Sequence, residues 1–508
     1  MMSDEIRSGR RDDGGEKEVK IDFNYKSVAD YETFLNVRKC PVYRFCGAFA
    51  HIPDEYAALL GRVSAPLVAD YQPMPSMFDY QRDITKIALA KRKYAIFADC
   101  GLGKTMMLLD YAKHAALATG GKVLIVCPLM VVKQTTEEAS KWFPEIGIKQ
   151  IKAAELEQWL SCGQGIGITN YEAIREDLPQ GTLAGLVLDE SSMLKSHYGA
   201  WGTRLIGLGR GVPYKLCLTG TPAPNDRIEY ANHAVFLDRC KTVNEFLATY
   251  FINRGETSNR WELKPHALKP FYRNLADWSI FLTNPATYGW KDNVGVTPPI
   301  NVHIEHVDLT AEQRKAAQDL TGKLITTSIG GIAERGKLSQ ISKGKGGIAT
   351  NKPAFIRGLV DSWPDESTII WCNYNEEQDS MERTFPDAVS ISGDTPESKR
   401  MEHIDAFKRG AVKVLISKAK ILGFGLNLQV CTRQIFSGLK DSYEEYYQAI
   451  KRSNRIGSTK PLNVHIPVTE LEIPFVENVL RKADRVEADT LEQENLFREI
   501  GHECLKGK

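Results

Sequence analysis

Ala98-Asp99-Cys100-Gly101-Leu102-Gly103-Lys104-Thr105 has the composition of a phosphate cradle. Gly101 and Gly103 let backbone N–H groups crowd around phosphate oxygens, and a helix opening after them adds partial positive charge. Lys104 would reach β- and γ-phosphates, and the Thr105 hydroxyl is a Mg²⁺ ligand. A second half-site is acidic. Asp189 and Glu190 follow the apolar run 186–188, so Asp189 would hold Mg²⁺, through water, while Glu190 would orient and deprotonate an attacking water. A third lies far along the chain, where Arg452 and Arg455 stand at i, i+3 in the segment 448–457. On a helix they share a face, and their permanently charged forks suit a γ-phosphate in a transition state. ATP and Mg²⁺ are therefore the expected ligands.

Two smaller segments accompany these. Phe78-Asp79-Tyr80-Gln81 precedes the cradle by about one helix, and the Gln81 amide offers both a donor and an acceptor to an adenine edge. Thr219-Gly220-Thr221-Pro222-Ala223-Pro224-Asn225 follows an apolar run, and its hydroxyls could report the state of the γ-phosphate.

These groups need a rigid support. Apolar runs at 94–98, 123–127, 166–169, 186–188 and 215–218 alternate with helical stretches, as do runs at 368–372, 389–391, 412–416, 434–436 and 463–466. Continuous rather than alternating hydrophobicity indicates parallel strands covered on both faces. The expected fold class is α/β, with two doubly wound lobes. The second contains no phosphate cradle.

Composition sets the bounds. A chain of 508 residues exceeds one core. With 43% hydrophobic and 25% charged residues it reads as ordinary globular protein. A net charge of +1 advertises no global field for a polyanion, although a local basic groove is compatible with it. No apolar run approaches the roughly 18 residues of a membrane span, and residues 1–20 are polar, unlike a secretory leader. The ten cysteines form no C-x-x-C pair, and Cys127, Cys217 and Cys372 lie in apolar runs, which fits a reducing cytoplasm. Cys40, Cys46 and His51 match no standard zinc spacing.

In order and content these segments resemble the superfamily 2 helicases and translocases, specifically their Swi/Snf-related branch. The likeness runs over about residues 75–470. Phe78 to Gln81 resembles the Q-type motif, 98–105 motif I, 123–129 with Trp142 motif Ia, and Thr169-Asn170-Tyr171-Glu172 a segment on the nucleic-acid face. Asp189 to Ser192 with Lys195 resembles motif II, 219–225 motif III, 423–429 motif V and 448–457 motif VI. The resemblance implies two RecA-like lobes with an ATP cleft between them and movement along nucleic acid, DNA rather than RNA. It assigns Lys104, Glu190, Arg452 and Arg455 to catalysis, with Arg455 as the arginine finger. Gln81, Gly101, Leu102, Gly103, Lys104, Thr105, Gly425, Arg452 and Arg455 would bind nucleotide, and Thr105 and Asp189 the metal. Pro128, Thr169, Asn170, Tyr171, Gly393 and Asn427 would meet nucleic acid.

The chain departs from this pattern in places. Motif II ends in two serines rather than Ala-His, and Arg455-Ile456-Gly457 continues with Ser458 rather than Gln. The Trp-Asn-Pro stretch before motif VI is replaced by Ser437-Gly438-Leu439-Lys440-Asp441-Ser442-Tyr443, and the basic segment expected after the first lobe is missing from 274–281. With the modest size, these changes look like the compact helicases of phages and prophages, which implies the cytoplasm of a bacterium or an infected host. A nucleotide-gated clamp recruiting replication or repair proteins is the alternative to a motor. A monomer suffices for either.

The expected organisation is a disordered 1–20, a helical accessory segment 21–74, a first lobe 75–228, an insertion and linker 229–350, a second lobe 351–470 and a C-terminal helical segment 471–508. The insertion's aromatics, among them Tyr250, Trp261, Phe271, Tyr272, Trp278, Tyr288 and Trp290, read as a small core in preference to a stacking surface. Residues 337–352, rich in Gly, Ser and Lys, read as a mobile linker or a basic loop. A long helix from 476 to 497 is expected to fold back on the second lobe.

Overall fold

The computed structural model describes residues 18–23, 28–40, 43–53, 71–195, 199–255, 261–291, 297–321, 332–422, 427–440, 442–455 and 458–505. The chain forms two compact units, one of residues 1–293 with 489–508 and one of residues 294–488. The expected disorder of 1–20 lies mostly outside the described residues. No helix among them is long and apolar enough to cross a membrane.

In the first unit the five expected strands are present as Lys93–Ala98, Val123–Cys127, Ile166–Asn170, Gly185–Asp189 and Tyr214–Thr219. They belong to a seven-stranded sheet that also holds Ile148–Gln150 and Ser279–Leu282. Every pairing in it is parallel. Val123–Cys127, Gly185–Asp189 and Tyr214–Thr219 are buried along their whole length, as strands covered by helices on both faces must be.

The segment read as an insertion is partly sheet. Ser279–Leu282 pairs with Lys93–Ala98 at one edge, and the Leu282 carbonyl accepts from Asp99 N at 2.9 Å, at the mouth of the phosphate loop. Phe271, Tyr272 and Trp278 are buried in the first unit's core, so the core reading of these aromatics holds for them.

The accessory segment is not simply helical. Glu18–Asp22, Phe49–Pro53 and Arg44–Cys46 form an antiparallel sheet beside the helix Val28–Lys39. Ile21, Phe23, Val37, Cys40, Ala50 and Ile52 make its core.

The second unit holds six parallel strands in the order Ile300–His306, Leu462–Val468, Arg433–Phe436, Thr368–Cys372, Val414–Lys418 and Val389–Ile391. The first of these lies inside the stretch expected to be linker. The expected mobile segment 337–352 is also ordered. A helix, Ile332–Ser342, enters it, and Lys343 and Lys352 are buried against Glu472 at 3.6 and 2.5 Å.

The final helix runs Ile473–Leu505. Val476 and Val479 pack in the second unit's core. From Asp489 onward the helix belongs to the first unit, rather than staying on the second lobe as expected. There Asp489 accepts from Arg227 Nε at 3.1 Å, and Glu494 accepts from the Thr283 N–H and hydroxyl at 2.8 and 2.6 Å.

Candidate nucleotide site

The phosphate loop leaves the buried strand Lys93–Ala98 and ends at the helix Lys104–Thr119. Gly101 and Gly103 have φ of +90° and +70°, a region that glycine occupies without strain. A side chain at 103 would also collide, since its Cβ would lie 2.2 Å from Gln81 Nε2. Lys104 Nζ folds back over the loop and donates to the Ala98 and Asp99 carbonyls at 2.8 and 3.2 Å. This places its ammonium over a loop whose shape suits phosphate.

Two strands along the same sheet, Gly185–Asp189 delivers the acidic pair at its C-terminal end, where ligands bind in such sheets. Asp189 is 9% exposed. Burial, then the Glu190 charge, pushes its carboxyl up to about 7, and Lys104 works in the opposite direction. A divalent cation would favour the ionised form, so the Thr105 hydroxyl and the Asp189 carboxylate fit Mg²⁺ as a donor set. The Tyr171 hydroxyl donates to the Asp189 carbonyl at 2.8 Å and fixes the strand end.

Glu190 takes a left-handed conformation at φ +58°, uncommon for a residue with a Cβ. Its Oε1 accepts from the Thr219 hydroxyl at 2.8 Å and from Ser192 at 3.3 Å. Thr219 closes the strand Tyr214–Thr219. Thr219, the first residue of the 219–225 segment, therefore bonds the acid that would activate water. A histidine not foreseen from the sequence stands beside the first of the two motif II serines. His233, in the helix Tyr230–Phe236, lies 3.1 Å from Ser191 Oγ through Nε2. Burial pushes its ring down to about 4, so it is neutral near pH 7.

Gln81 is buried, and its amide is engaged within the site, accepting from Phe78 N at 2.9 Å and donating to the Leu102 carbonyl at 3.2 Å. Of the nucleic-acid candidates in this unit, Pro128 and the side chains of Thr169 and Tyr171 are buried. Thr169 Oγ1 donates to the Ile151 carbonyl. Asn170 alone among the four is partly exposed.

In the second unit Gly393 and Asn427 are exposed, and Gly425 lies outside the described residues. The helix expected to carry both arginines ends at Ile450, so Arg452 and Arg455 do not share a helical face. Arg452 is 4% exposed; it donates to the Ala419 carbonyl at 3.0 Å and lies over the Trp371 ring. Arg455 is partly exposed, and its backbone N–H donates to Ser458 Oγ.

Residues 80–351 match the SNF2-related domain, and residues 351–457 the helicase conserved C-terminal domain. Among relatives, the DNA annealing helicase and endonuclease ZRANB3 of Bos taurus is 22% identical over 414 residues, 77% of this chain and 38% of that protein. The putative protein p41 of Acyrthosiphon pisum secondary endosymbiont phage 1 is 23% identical over 460 residues, 81% of this chain and 97% of that protein. This chain thus spans well under half of the bovine relative and nearly all of the phage one. A Sulfolobus solfataricus SWI2/SNF2 ATPase core in complex with dsDNA aligns over 85% of this chain and 97% of that one, with 19% identity and a TM-score of 0.39. The chain belongs to the SNF2-related family of superfamily 2 helicases.

Proposed function

We propose that the protein is an ATP-driven motor that moves along DNA. The observation carrying this reading is the pairing of the phosphate loop with an acid anchored by Thr219 on the same sheet. Lys104 leaves the Ala98 and Asp99 carbonyls for the β- and γ-phosphates, and Gln81 and the loop glycines hold the rest of the nucleotide. Glu190 takes the proton of the attacking water, held in line by Thr219. Bound Mg²⁺, held by Thr105 and Asp189, would neutralise charge on the phosphates. Arg455 would act on the γ-phosphate, and Asn170, Gly393 and Asn427 are the candidate backbone contacts. DNA is the proposed track because the bovine relative is named as a DNA helicase.

Displacement of a third strand from a DNA triplex tests for movement. ATP should drive displacement by the wild type and not by Glu190→Gln, which should still bind ATP. ATP-dependent duplex binding without displacement would sink the motor and leave the clamp.

A further inference from the structure

The helix Tyr230–Phe236 is buried along its whole length and grips the segment just after the acidic pair at two consecutive residues. Asn232 Nδ2 donates to the Leu194 carbonyl at 2.6 Å, and His233 Nε2 shares a hydrogen bond of 3.1 Å with Ser191 Oγ. Ser191 and Leu194 begin and end one short helix, so both of its ends are held by the same neighbour. One turn before His233, Glu229 accepts from the Asn225 N–H and side-chain amide, each at 2.9 Å, which fixes the far end of the 219–225 segment. The His233 ring is set in turn by Phe97, edge-on at 5.4 Å and 90°, from the strand that leads to the phosphate loop. Ser191 and His233 are both fully buried.

We propose that His233 is a positioning residue for hydrolysis: its bond to Ser191 fixes the peptide that follows Glu190 and so aims the Glu190 carboxylate. Glu190 carries a left-handed backbone, and such a conformation persists only where the surrounding contacts over-determine it. Thr219 holds the carboxylate itself and His233 holds the next residue, so the acid is fixed from two directions. A buried hydroxyl–imidazole bond adds only modest net stability. It is directional, however, and an apolar contact in its place is not. The proposal rests on Glu190 acting as the base, and the test separates the two.

The test uses the full chain, with a urea midpoint to check that each variant is folded. His233→Leu keeps the bulk and removes the polar partner. Its kcat should fall about ten-fold, short of the hundred-fold scale of moving a reacting group itself by about 1 Å, with KM for ATP little changed. Ser191→Ala breaks the same bond from the other side and should match it, which keeps the test open where His233→Leu does not fold. His233→Gln, which offers an amide nitrogen in place of Nε2, should regain most of the lost kcat. In a Glu190→Gln background His233→Leu should cost nothing further in single-turnover hydrolysis, because a residue acting through Glu190 has no effect once the carboxylate is gone. An unchanged kcat in a folded variant, a KM that rises in step with the loss, no recovery in His233→Gln, or an equal loss in both backgrounds would overturn the positioning role. Wild-type turnover by Glu190→Gln would instead overturn the base assignment beneath it.

Discussion

The Thr219 hydroxyl donates to Glu190 Oε1 across 2.8 Å, joining the ends of two neighbouring parallel strands at the acid that would activate water. Glu190 has a left-handed backbone conformation, and Thr219 holds its carboxylate. Thr219→Val keeps the shape and removes the donor. We expect kcat to fall on the order of 100-fold, the scale of misplacing a reacting group by about 1 Å, with KM for ATP little changed. A kcat within two-fold of wild type in steady-state assays would show that Thr219 does not orient the base.

His233 gives the motif II loop a pH dependence. Its ring is held at about 4 in the fold by burial, against about 6.5 when unfolded. The unfolded chain therefore binds the extra proton first. Stability from this group is complete above about pH 6.5 and declines toward pH 4, by on the order of 3 kcal/mol in all. His233→Gln keeps a polar partner for Ser191 without titrating. Urea midpoints from pH 7 to 4.5 should fall less steeply for the variant, and parallel curves would contradict the assignment.

Legibility from the sequence followed the range of the interactions. The buried strands, such as Val123–Cys127 and Thr368–Cys372, declare themselves because continuous apolar runs have few alternatives. Ser279–Leu282 did not, because it is four residues long and exists by pairing with a strand almost two hundred positions earlier. Ile300–His306 alternates polar and apolar residues on a sheet edge and lacks the buried-strand signature. The phosphate loop and the acidic pair were readable as local motifs. The His233–Ser191 contact was not, since nothing in its spacing marks it. Lys343 and Lys352 look like solvated linker residues, and the Glu472 that buries Lys352 is 120 positions away.

That buried cluster bears directly on stability. Burial alone would raise the Glu472 carboxyl, but the Lys352 and Lys343 ammonium groups outweigh it and hold it below the usual range. Ser342 Oγ adds a bond at 2.6 Å. Glu472→Gln removes the carboxylate that both buried cations share and should cost about 3–5 kcal/mol by chemical denaturation. Replacing Glu472, Lys343 and Lys352 together by Met should recover much of it. A single variant within about 1 kcal/mol of wild type would mean that solvent reaches the cluster.

The most direct measurement is steady-state ATP hydrolysis with no polymer, single-stranded DNA, duplex DNA and RNA, with Lys104→Ala as the blank. A motor on DNA predicts strong stimulation by DNA, weak or none by RNA, and only background from the blank. A rate that no polymer changes, or one that the blank retains, would contradict it.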